Sequence, residues 1–168
     1  MNLRTIGTLL ALVFAQEDAF ASGYRATILH PDSGFVASAG SGISSTSQVG
    51  TGHNGTVTLS SSNALVWRGD KQSVVDLNPL GFTTTEAHAA TDTVQVGYGH
   101  GEATEGRTHG LLWRGAADSV VDLHPEGFLQ SFVFSVSGDT QVGRGDLLRG
   151  DHALLWRETA ESVIDLHP

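Results

Sequence analysis

The side chains able to do chemistry in this chain are eight histidines and eighteen acidic residues among 168. No two histidines fall in the H-x₃₋₅-H or HExxH spacing that brings two ring nitrogens to one ion, so no metal site and no cofactor is expected. His30, His124 and His167 instead recur at one place in a repeated segment, where a further copy has Asn78. Asp76, Asp122 and Asp165 recur two residues ahead of that place. Histidine and asparagine share turn hydrogen bonding more readily than metal affinity, and an acid present in every copy suits hydrogen bonding better than proton transfer. These positions are therefore read as structural. Trp67, Trp113 and Trp156 recur as well, each closing an apolar run. Such an indole is expected in the core, the other reading being a platform on which a carbohydrate stacks.

Residues outside the strict repeat are the better candidates for recognition. His53, Asn54, His100, His109, Asp146, Asp151 and His152 lie in the segments 51–63, 98–109 and 144–152, whose lengths differ between copies. Segments that vary over a fixed scaffold are where binding residues concentrate. No nucleophile elbow, P-loop or calcium-binding loop occurs. Arg-Gly-Asp occurs three times, at Arg68, Arg144 and Arg149. The three stand at different repeat positions, in a chain whose turns favour glycine and aspartate anyway.

The elements that must carry these residues follow from the repeat itself. Residues 64–82, 111–128 and 153–168 are versions of one unit, Leu-Leu-Trp-Arg-Gly followed by Ser-Val-Val-Asp-Leu-His-Pro. The tryptophans are 46 and 43 residues apart, and the leucine before His or Asn always comes 10 residues after the Trp. Upstream of each Trp stands Gln-Val-Gly, at Gln48, Gln95 and Gln141. Periods of this size belong to repeat folds in which no unit buries its faces alone. Glycine, valine and threonine are abundant, and a sustained 3.6-residue apolar period is lacking beyond the first residues, so the units read as strands. Each divides into four, and the second gives 83–90, 93–98, 110–113 and 119–123. Pro-Leu-Gly and Pro-Glu-Gly supply the turns between units. An earlier echo, Leu29-His30-Pro31, places one further fourth strand over 24–29.

The first 21 residues read as a secretory signal peptide, with Arg4, an apolar stretch over 6–14 and small residues at Ala19 and Ala21. That stretch is too short to span a bilayer, which takes about 20 apolar residues. The expected mature chain is a single β-repeat domain over 22–168, with units at about 32–77, 80–123 and 126–166, in a secreted, periplasmic or extracellular location. Without cysteine, its stability rests on burial and strand pairing. A net charge of −9 with scattered basic residues leaves no footprint for nucleic acid or anionic lipid.

The unit resembles the bacterial extracellular repeats of the HAF family, named for a His-Ala-Phe-(Leu)-Trp segment. The carriers are His152-Ala153-Leu154-Leu155-Trp156, His109-Gly110-Leu111-Leu112-Trp113 and Asn63-Ala64-Leu65-Val66-Trp67, together with Gln-Val-Gly, Val-Asp-Leu-His-Pro and Gly-Phe. Leucine or valine stands for the family's phenylalanine, Asn63 for its histidine and Gly110 for its alanine. The resemblance implies secretion and a β-repeat fold, and it carries no catalytic residue.

The expected fold is all-β: about three four-stranded, propeller-blade-like units, either a partial propeller or one completed by a second chain. The alternative is a three-fold closure like a β-trefoil. Thirteen strands would leave one over for a trefoil, and three blades are fewer than a propeller's typical 4–8. Two readings follow: a homodimer through the terminal strands completes a ring, or the chain is a truncated member of a longer repeat family. Functionally, the chain reads as a secreted, non-enzymatic module that binds a protein or glycan through its variable loops. The alternative is a glycan-active or hydrolytic enzyme using Asp146, Asp151 and His152.

Overall fold

The computed structural model describes residues 25–55 and 61–168; the expected signal segment and the start of the leading strand lie outside them. Twelve strands form three four-stranded antiparallel sheets, and no α-helix occurs among the described residues. The first sheet comprises β1 (Ala37–Ile43), β2 (Gln48–His53), β3 (Ser62–Trp67) and β4 (Val75–Asp76). The second comprises β5 (Phe82–Ala90), β6 (Gln95–Gly101), β7 (His109–Trp113) and β8 (Val121–Asp122). The third comprises β9 (Gln130–Ser137), β10 (Thr140–Leu147), β11 (Gly150–Trp156) and β12 (Ile164–Asp165). Strand order follows the chain within each sheet. The sheets pack in sequence, first on second and second on third, without closing into a ring.

Three expectations need correction. Residues 25–29 form no strand, because no neighbouring sheet offers them a ladder. The fourth strand of each unit keeps only two residues, since a 3₁₀ turn ending at Ser73, Ser119 or Ser162 takes up its start. The variable segments are less loop than expected. The strands β10 and β11 run to a tip of two residues, Leu148 and Arg149, so Asp146 and Asp151 face each other across a ladder.

Glycine in Gln-Val-Gly has a steric cause. A Cβ atom at Gly50, Gly97 or Gly143 would lie 1.9, 1.8 or 1.9 Å from the carbonyl oxygen of Ala39, Glu86 or Phe132 on the paired strand. Beside each of these contacts the first strand bulges. Ser41, His88 and Phe134 are skipped by the register of β1–β2, β5–β6 and β9–β10. A bulge leaves its extra residue unpaired and re-aims its side chain.

Two apolar layers lie between the sheets. Val49, Ala64, Val66, Leu77, Ala87, Leu111 and Trp113 form the first, and Val96, Leu112, Leu123, Val133, Leu154 and Trp156 belong to the second. Each junction also carries a buried hydrogen bond from the third strand to the next sheet. The Ala64 N–H donates to the Thr85 hydroxyl and the Gly110 N–H to the Ser131 hydroxyl, both at 2.9 Å. These donors are buried, so the hydroxyls satisfy N–H groups that water does not reach.

Candidate functional site

The repeated polar residues form one arrangement copied along the chain. His109 Nδ1 donates to Asp122 at 2.7 Å and His152 Nδ1 to Asp165 at 2.7 Å, while the Asn63 amide donates to Asp76 at 2.7 Å. The other oxygen of each carboxylate accepts the backbone N–H two residues on, from Asn78, His124 and His167. His124 and Asn78 then bond the hydroxyls of Ser131 and Thr85, and His30 does the same with Ser38. His109 stacks on His124 and His152 on His167, with ring centroids 4.0 and 4.1 Å apart. In each copy both carboxylate oxygens, and one side-chain nitrogen that meets them, tie a turn to a strand. The Asp165 carboxyl is held below its ordinary range, chiefly by His152, then by the His167 N–H.

Trp67, Trp113 and Trp156 are fully buried, which leaves no indole face for a sugar. Asp70 of the first Arg-Gly-Asp caps the 3₁₀ turn by accepting the Ser73 N–H. His53 and His100 are half-buried at the ends of β2 and β6, and the Asn54 side chain accepts from Ser61 at 2.5 Å. Neither joins the histidine–aspartate relay. Among the described residues no group of three His, Cys, Asp or Glu is placed to hold a metal ion.

A different set converges at the bulges of the second and third sheets. His88 stacks on Tyr98 with centroids 4.8 Å apart, and Tyr98 meets Phe132 edge-on at 5.0 Å. Phe134, 44% exposed, closes the group at 6.1 Å from His88 and 6.2 Å from Phe132. The Tyr98 hydroxyl donates to Glu86 at 2.9 Å. Burial first, and then that bond, push the phenol up to about 12. The Arg144 guanidinium sits 4.6 Å over the Phe132 ring and pairs with Asp151 at 2.7 Å and Asp146 at 3.3 Å. Burial raises the Asp146 carboxyl, and Arg144 opposes the rise.

Of the residues singled out from sequence, Asp146 and Asp151 reach this cluster, while His109 and His152 belong to the relay. Glu86, His88, Tyr98, Phe132, Phe134 and Arg144 are additions from the structure. Their signal in the sequence was a mismatch between copies. Glu86, Tyr98, Phe132 and Arg144 stand at ladder positions that hold Ala39 and Thr51 in the first unit, and Ser41 is the bulge residue there. Comparison with protein-family models, with curated proteins and with solved structures finds no match.

Proposed function

We propose that this chain is an extracellular, non-enzymatic binding module whose ligand rests on the cluster of Glu86, His88, Tyr98, Phe132, Phe134 and Arg144. The observation that carries the reading is the contrast between copies. Packing and turn chemistry act alike on all three units and keep Trp, Asp and Gln-Val-Gly in each. At the bulge positions the units instead carry a small set, an acidic and aromatic set, and an aromatic and cationic set. A scaffold has no need of that difference; a binding face does.

The ligand class this chemistry suits best is a glycan. Aromatic faces stack on the apolar faces of sugar rings, while a carboxylate and a guanidinium accept from and donate to hydroxyls. A protein ligand is the second class, because tyrosine and arginine also anchor protein interfaces. The hydrolytic alternative draws less support. Asp146 and Asp151 both face Arg144, and His152 is engaged by Asp165. The reading also keeps export after removal of residues 1–21, blade-like units akin to the HAF repeats, and pairing with a second copy through the terminal strands.

A glycan array, followed by calorimetry on any hit, tests the site. Phe134→Ala and Tyr98→Ala are each expected to weaken binding at least tenfold while circular dichroism stays unchanged. Binding that both variants leave intact would place the ligand elsewhere, and glycan cleavage by the wild type would favour the enzyme. N-terminal sequencing from a secreting host checks export, with Ser22 as the expected first residue.

A further inference from the structure

The junction between sheets occurs twice within the chain, and the two end sheets carry its unused halves. On one side of each internal junction an N–H of the third strand, at Ala64 or Gly110, donates to a hydroxyl of the next sheet. Ala153 holds that position in β11, pairing with Arg144 as Ala64 pairs with Thr51 and Gly110 with Tyr98. Its carbonyl accepts from Leu166 as theirs accept from Leu77 and Leu123, so its N–H points the same way. No hydroxyl of a following sheet meets it among the described residues, and Ala153 is exposed where its counterparts are buried. Around it, Val142 is 41% and Leu166 52% exposed, whereas Val49, Val96, Leu77 and Leu123 in the same places are at 0%.

The complementary half lies on β1. Ser38 pairs with Gly52 as Thr85 pairs with Gly99 and Ser131 with Gly145. Its hydroxyl is already bonded to His30, as that of Ser131 is to His124, and among the described residues no N–H donates to it. Two ladder positions on stands Gly40, where Ala87 and Val133 pack fully buried against the preceding sheet. A Cβ atom at Gly40 would meet nothing within 4 Å.

We infer that the outer face of the third sheet receives the first sheet of a second copy of this chain, head to tail, with the Ser38 hydroxyl accepting the Ala153 N–H. The contact continues a junction that the fold already makes twice. Because the two surfaces differ, each copy keeps one of each, and two copies can satisfy both in one ring of six sheets. This contact gives atomic form to the pairing with a second copy proposed above, and it holds whatever the Tyr98 cluster binds.

Docking forces an exchange. His30 and Pro31 hold beside Ser38 the place that His124 and Pro125 hold beside Ser131, and His167 and Pro168 of the first copy are built for the same place. The leading segment is anchored, since Pro31 is buried and His30 is bonded to Ser38. By contrast β12 meets β11 through two residue pairs, and Ile164 is 44% exposed. The arriving residues 25–29 therefore replace β12 on β11, at the cost of the His152–Asp165 contact.

Sedimentation velocity on the purified full chain tests this. The expected result is a two-chain species at micromolar concentration. Gly40→Arg, whose Cβ atom meets nothing within 4 Å in the single chain, and Leu29→Asp, outside every described sheet, should each lower the dimer affinity at least tenfold with unchanged circular dichroism. Truncation after Ser162 frees the receiving place and should raise it. A wild type that stays monomeric into the tens of micromolar, a dimer indifferent to Gly40→Arg, or a truncation that abolishes the dimer overturns the proposal.

Discussion

Trp113 is buried between the first and second sheets, and its indole N–H meets no acceptor among the described residues. Its contribution is therefore packing, with no hydrogen bond to lose. Trp113→Ala is expected to cost about 3–5 kcal/mol, and Trp113→Phe distinctly less, by urea denaturation. Equal losses for the two would mean that the N–H matters after all. His124 makes a pH-dependent contribution. Burial first, then the neighbouring His109, lower its pKa from the ordinary value of about 6.5. A histidine kept neutral by the fold binds its proton more readily when unfolded. Its contribution is thus complete above about pH 6.5 and is lost as pH falls through the lowered value. His124→Asn, the residue the first unit uses at Asn78, should keep the bond to Ser131 and reduce the loss of stability between about pH 7 and pH 5. A pH profile of the denaturation midpoint identical to that of the wild type would sink this.

At the scale of the strand, Gln-Val-Gly and the bulge are one device. The close approach of Glu86 O to Gly97 accompanies the bulge that turns His88 onto Tyr98. Gly97→Ala should destabilise by about 1–3 kcal/mol, as overpacking does, and displace His88. NMR shifts for His88 and Tyr98 that do not move would separate the two. The repeat made the strands legible beforehand, because the Trp-to-Leu interval keeps β3–β4, β7–β8 and β11–β12 in register. The short fourth strands were less legible, since Ser-Val-Val reads as strand although the serine hydroxyl folds back on the turn, as Ser119 does on Ala116. The Tyr98 cluster was hidden for a deeper reason. Its members come from two units and hold equivalent places there, Glu86, His88 and Tyr98 against Phe132, Phe134 and Arg144, but the side chains differ between the units, so only the stacking of one bulged strand beside the next brings them together.

For the molecule as a whole, burial is uneven along the stack. The second sheet is covered on both faces, while no sheet among the described residues covers the outer face of the third, which leaves Val142, Ile164 and Leu166 partly in water. The first sheet keeps its tryptophan buried yet presents β1 almost bare. In stacked repeats, stability is close to a sum of unit and junction terms, so a sheet with one junction opens before a sheet with two. Native-state hydrogen exchange on the monomeric Gly40→Arg variant should therefore protect β6 and β7 most, β2 and β3 next, and β11–β12 least. In the wild type at concentrations that favour assembly, the expected change is confined to the two ends. Protection should rise at β11 and appear over residues 25–29, while β6 and β7 stay as they were. Uniform protection across all three sheets in the variant would mean that the junctions are too strongly coupled for the sheets to open singly, and the additive picture would fail.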